Sequence, residues 1–143
     1  MERHKAVRPS LLALFVFALS ACATTTQMQG SDSIPAAQGE VTAKTDDNEN
    51  TLVNVTVEHL ADPQMVSGRA TTYVVWARPL GQDQGTVGVQ NLGTLQVDDD
   101  RTGELETTTS LHNFEVFVTA EPSGTVPSPT GEPLLWAEVN RAR

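Results

Sequence analysis

An all-β fold is predicted for this chain by three observations. Apolar side chains alternate with a two-residue period in the best-defined segments, turn-forming residues recur at close intervals, and no apolar stripe at helical spacing runs for three turns. In Thr51 to Leu60 (TLVNVTVEHL), Val53, Val55 and Val57 fall on one face and Asn54, Thr56 and Glu58 on the other, as in a half-buried strand. Thr71 to Ala77 (TTYVVWA) is β-branched or aromatic on both faces, so it reads as a central strand, which Pro79 ends. Phe114, Val116 and Val118 alternate with Glu115, Phe117 and Thr119 in a further strand. Weaker strands are expected at Thr86 to Gln90, Leu92 to Val97, Gly103 to Thr109 and Leu134 to Val139. Gly81, Gly85, Asp98 to Gly103 and Ser123 to Pro133 punctuate them.

Seven or so short strands within residues 51–143 point to an antiparallel β-sandwich of immunoglobulin-like type, with a small barrel as the alternative. The chain has one cysteine, so no Cys-Trp-Cys spacing exists and the likeness is architectural. Ser123 to Pro133 (SGTVPSPTGEP) reads as a stiff crossover between the last two strands, or as a polyproline-like ligand.

Ahead of this domain the sequence changes character. Met1 to Pro9 carries Arg3, Lys5 and Arg8 against Glu2, and Leu11 to Leu19 (LLALFVFAL) is wholly apolar, the layout of a secretory leader over residues 1–21. Nine residues rise only about 14 Å as a helix, too short to span a bilayer. Ser20 and Ala21 would suit an ordinary cleavage site after Ala21. Leu19-Ser20-Ala21-Cys22 also resembles the lipobox of bacterial lipoproteins. That resemblance implies cleavage between Ala21 and Cys22, a diacylglyceryl thioether on Cys22 and a further acyl chain on its amine. Two or more chains would hold the protein firmly to a membrane. Lipoproteins kept in an inner membrane commonly carry Asp after the cysteine. Ala23 therefore favours the outer membrane, facing the periplasm, in a Gram-negative host.

From Cys22 to Asn50 the sequence is rich in Thr, Gln, Ser, Asp, Asn and Gly, with Met28, Ile34 and Val41 as its sizeable apolar residues. Such a composition predicts a disordered tether with a root-mean-square reach of roughly 30 Å. Beyond the leader, Lys44, Arg69, Arg78, Arg101, Arg141 and Arg143 face seventeen acids, a net charge of −11. So acidic a surface argues against nucleic acid as a partner, since binding there needs cationic side chains that displace counterions.

Two segments resemble the extracytoplasmic C-terminal domain of the anti-sigma-K factor family. One is Tyr73-Val74-Val75-Trp76 followed by Arg78-Pro79. The other runs from Phe117 through Thr119, Glu121, Pro122 and Gly124 to Pro127, Pro129-Thr130-Gly131 and Pro133-Leu134-Leu135. The resemblance covers roughly Thr71 to Trp136 and implies an all-β domain outside the cytoplasm. It does not bring the regulatory activity, which in that family belongs to a separate cytoplasmic region. Core or turn roles are expected for these residues. Tyr73 and Trp76 fall on opposite faces of one strand, so one of them faces the interior and the other a second layer or a partner.

Catalytic chemistry is hard to assemble. The sequence has no Gly-x-Ser-x-Gly elbow, His-Glu-x-x-His pair or phosphate-binding glycine loop. His59 and His112, each at a strand end, could contribute to a zinc site with an acid, or sit in surface turns. Asp98, Asp100, Thr102, Gly103 and Glu104 mimic the start of an EF-hand loop, but Thr109 stands where the bidentate carboxylate belongs. An acidic hairpin turn explains the same residues. The expectation is a membrane-tethered, non-enzymatic module without a cofactor that binds, senses or assists through an envelope protein partner. A small-ligand or calcium-binding module is the alternative.

Overall fold

The computed structural model of the protein describes residues 22–81 and 88–140. The expected leader, residues 1–21, and the first two residues of the strand expected at Thr86 to Gln90 lie outside them.

Ten strands are described: β1 (Thr24–Gln27), β2 (Gln29–Gly30), β3 (Gln38–Thr45), β4 (Thr51–Glu58), β5 (Thr72–Pro79), β6 (Gln90–Thr94), β7 (Gln96–Val97), β8 (Gly103–Thr109), β9 (Asn113–Glu121) and β10 (Leu135–Asn140). A one-turn helix, α1 (Pro63–Val66), sits between β4 and β5. Asp62 caps it by accepting from the Gln64 N–H at 2.9 Å, and Pro63 occupies the first turn, where no N–H is required. The strands form two antiparallel sheets, β1-β3-β4-β8-β7 and β2-β10-β9-β5-β6. These pack around one core, with Val41, Val53, Val55 and Val57 of the first against Val75, Phe114, Val116, Val118 and Leu135 of the second.

Local sequence explains the central strands. In β4 the three inward valines are fully buried while Asn54 and Glu58 are exposed, as the alternation requires. The sequence TYVVWA makes β5 buried on both faces, and β9 is likewise buried on both over most of its length. Pro79 is the last residue of β5, paired with Phe114.

The count of about seven strands requires correction, and so does the expected tether. Residues 24–45 are ordered within both sheets. β3 pairs with β4 over its full eight residues, and it buries Gly39, Val41 and Ala43 on alternate positions. Two of those three residues are too small to register as an apolar face, so the alternation was hidden in a polar composition. A Cβ at Gly39 would stand 2.8 Å from the Met28 sulfur, so glycine there makes room for Met28. Ile34, in the β2–β3 connection, is 4% exposed and belongs to the main core. The domain therefore begins at Thr24 rather than at Thr51.

Each side of the structure is closed by a segment that passes from one sheet to the other. β1 pairs with β3 in the first sheet, and β2, one residue later, pairs with β10 in the second. The Met28 N–H at the switch donates to Gly39 O at 2.8 Å. At the other side β6 and β7 switch sheets around Leu95, whose N–H donates to Tyr73 O at 3.0 Å. The strand expected over Leu92 to Val97 is thus split between the sheets at Leu95. Among the described residues neither sheet has a long flat edge, the usual protection against unwanted strand pairing.

If the amino-terminal segment is part of the core, Ile34→Ala will lower the unfolding free energy by about 2–4 kcal/mol in chemical denaturation. An unchanged midpoint would mean that residues 24–45 hang free of the domain.

Candidate functional site

Among the described residues, a hydrogen-bonded cluster of buried side chains lies on the outer face of the second sheet. Register aligns Trp136 of β10, Phe117 of β9 and Trp76 of β5 in one cross-strand row. The Trp76 and Phe117 rings lie 6.5 Å apart at 19°, an offset stack. One row along, Arg78 pairs with Glu115 and holds its guanidinium 5.2 Å from the Phe117 ring centre, a cation–π contact. Val74, Trp76 and Phe117 form a second apolar cluster, with Val89, Val126 and Trp136 against its margins. An outer sheet face would ordinarily meet water. Here the 122–134 connection folds back over part of it.

That connection is held by a carboxylate. Glu121, the last residue of β9, is 0% exposed. Its Oε1 accepts from the Thr119 hydroxyl at 2.6 Å, the Thr130 N–H at 2.9 Å and the Gly131 N–H at 3.2 Å, and its Oε2 accepts from the Thr130 hydroxyl. The Thr119 oxygen in turn accepts from the Trp76 indole N–H at 2.9 Å. Burial pushes the Glu121 carboxyl upward, but bonds from the Thr119 and Thr130 hydroxyls and the Gly131 and Thr130 amides outweigh it and bring it below the ordinary value of 4.5. A Cβ at Gly131 would stand 2.8 Å from the Ala120 carbonyl oxygen, so this approach requires glycine. Asn91 of β6 ties the far part of the connection by donating to Gly124 O at 3.0 Å and Val126 O at 3.2 Å. The Thr71 hydroxyl donates to Pro122 O at 2.9 Å.

Of the residues singled out in the sequence, Trp76, Thr119, Glu121, Thr130 and Gly131 meet in this network. Pro122 and Gly124 contribute carbonyls to its surroundings, and Pro129 immediately precedes Thr130. Tyr73 is on the opposite face of β5, buried in the main core, and its hydroxyl donates to Ala61 O at 2.8 Å. Burial, and then the Asp62 charge, push the phenol up to about 12, with Arg101 pulling the other way. Proton exchange by either buried group near neutral pH is therefore disfavoured. The network is an anchor for the connection, and Glu121 has its oxygens committed to donors within the chain.

A cleft of about 420 Å³ opens beside Tyr73 at one end of the two sheets, with Asp62, Leu95, Asp98, Asp99 and Arg101 among its walls. The two large exposed apolar side chains among the described residues, Met65 at 83% and Val97 at 48%, belong to this same end, on α1 and β7. Asp98, Asp100, Thr102 and Glu104 run through the β7–β8 turn and into β8. There the Asp98 carboxylate accepts from the Thr102 N–H at 2.8 Å, and Arg101 adopts a positive φ of 63°. Asp98 is thus engaged in shaping the hairpin. Among the described residues no group of three or more His, Cys, Asp or Glu side chains is arranged to hold a metal. Topology sets His59 and His112 at opposite ends: His59 follows β4 where Val57 pairs with Gly103, and His112 precedes β9 beyond the Thr51–Thr109 pair. Cys22 is exposed and its thiol is free.

Comparison of the chain with protein-family models, with curated proteins and with solved structures returns no match.

Sequence reasoning recognised the members of the Glu121 network one by one but not what they build. Glu115 and Glu121 are both acids on the outer face of β9, and alternation alone treats each as exposed. The signal was Thr130-Gly131 nine and ten residues on, a hydroxyl and two successive amides able to saturate a carboxylate.

Glu121→Ala would leave the buried Thr119 hydroxyl and the partly exposed Thr130 and Gly131 donors without their acceptor and should cost about 2 kcal/mol or more. Glu121→Gln keeps the volume but offers one acceptor oxygen, with its amide nitrogen facing donors, so a smaller loss is expected. The folded-state pKa of Glu121 lies below its unfolded value. Its stabilisation is therefore complete above about pH 4.5 and is lost as pH falls through the folded value. Denaturation midpoints measured from neutral pH to pH 3 should fall less steeply in Glu121→Gln than in the parent.

Proposed function

We propose that this chain is a lipid-anchored cell-envelope protein whose non-enzymatic β-sandwich serves as a binding, sensory or accessory module. The observation that carries this reading is the placement of Cys22. The sole cysteine of the chain closes the Leu19-Ser20-Ala21-Cys22 motif behind an apolar run, and it stands exposed with one residue between it and the first strand. A free thiol in an exported protein has no bridge partner within the chain and is open to oxidation; acylation gives it a use.

The sandwich is proposed to be immunoglobulin-like. The orders β3-β4-β8-β7 and β10-β9-β5-β6 correspond to the A-B-E-D and G-F-C-C′ sheets of that architecture, with β1 and β2 as an added amino-terminal strand. The Tyr-x-x-Trp, Thr-x-Glu-Pro-x-Gly and Pro-Thr-Gly segments that resemble the outer domain of anti-sigma-K factors support a related role outside the cytoplasm. An accessory or sensory domain held by lipid would take the place of one held by a membrane-spanning helix. The end bearing the cleft, Met65 and Val97 is the favoured surface for a protein partner, because exposed apolar groups beside a polar recess are what such contacts use.

Growth of expressing bacteria with an alkyne-bearing fatty acid tests the anchor. The parent chain should carry the label and sediment with membranes, and Cys22→Ser should lose both properties. An unlabelled, soluble parent would contradict the proposal.

A further inference from the structure

The register of the sheets fixes which end of the domain carries Cys22. Thr24 pairs with Ala43, so the backbone at Cys22 is level with Thr45 and the Asp46–Asn50 turn that follows β3. Thr51 pairs with both Thr45 and Thr109, and its hydroxyl donates to Leu111 O at 2.6 Å. Asn113 pairs with Asn140, which brings the last described residue to the same end. One end of the sandwich therefore gathers Cys22, the Asp46–Asn50 turn, the Ser110–His112 connection and the close of β10. The other end holds α1, the Asp98–Thr102 turn and the cleft.

One residue, Ala23, separates Cys22 from β1. Fully extended, the two peptide steps from Cys22 to Thr24 reach no more than about 7 Å. We infer that the bilayer is itself a docking partner of this domain: the end formed by the Asp46–Asn50 turn and Leu111 stands on the lipid surface, and the cleft with Met65 and Val97 is presented away from it. The inference rests on the acylation of Cys22 proposed above and adds orientation and height to it. Strands of eight residues span roughly 27 Å, so the far end stands on the order of 30 Å from the head groups. A disordered tether of the expected length would give a similar mean height but no preferred orientation.

Asp47 and Glu49 are exposed in the apposed turn, and the Asp46 carboxylate is occupied by the Asn48 and Asn50 N–H groups, each at 2.9 Å. Lys44 is the one basic residue in that part of the chain, from Lys44 to Asn50. Acyl chains on Cys22, rather than cationic side chains of this turn, would keep the end at the lipid surface.

The test uses the full chain, processed in bacteria and transferred to phosphatidylcholine vesicles containing lipid with a nitroxide on its head group. A fluorophore is attached through Asn48→Cys or Asp99→Cys, both exposed turn positions at opposite ends. Acylated Cys22 takes no maleimide, so each variant carries a single label. Asn48→Cys should be quenched several-fold more strongly than Asp99→Cys. Equal quenching at the two positions, with Cys22 still blocked, would overturn the orientation alone. Maleimide reaction at Cys22 of the parent chain would overturn the anchor, and the inference with it.

Discussion

A buried carboxylate must have its lone pairs occupied by donors, because leaving a charge uncompensated away from water costs several kcal/mol. That constraint on Glu121 organises half of this molecule. Its donors come from Thr119 on the same strand and from Thr130 and Gly131 beyond the turn, so satisfying the charge dictates the path of the 122–134 connection. The connection then brings Val126 against the cluster of Val74, Trp76 and Phe117. A sheet face that would have been wet becomes a second apolar layer. β5 and β9 are consequently buried on both sides, and their sequences, TYVVWA and FEVFVTAE, are apolar enough only because both layers exist.

Much of this was legible in the sequence where one face of a strand is uniformly large and apolar. Val53, Val55 and Val57 announced β4, and the bounds of β8, Gly103–Thr109, match those expected. What was not legible depended on partners distant in sequence. The inward positions of β3 are Gly39, Val41 and Ala43, and a small residue signals burial only when its neighbour is known. Gly39 is explained by Met28 across the strand pair, and Ile34 by a core built mostly from later strands. Leu95 marks a change of sheet that periodicity cannot express, since the side chains continue to alternate through it.

The same distinction applies to the candidate site. Trp76, Thr119, Glu121, Thr130 and Gly131 are each visible in the sequence, yet their roles follow from hydrogen bonds that span up to forty-three residues. Those roles hold the fold together. Because the first strand begins at Thr24, two residues after Cys22, register fixes the end of the sandwich that carries this cysteine, and the cleft with Met65 and Val97 lies at the other end.

The most direct measurement of the Glu121 constraint is hydrogen exchange by nuclear magnetic resonance at the Thr130 and Gly131 amides and the Trp76 indole. If the carboxylate holds the connection to the sheet, these protons exchange as slowly as the ladder amides shared by β5 and β9, through global unfolding. Rapid exchange at Thr130 and Gly131 with the ladder still protected would show that the connection opens independently, and that the second layer does not depend on Glu121.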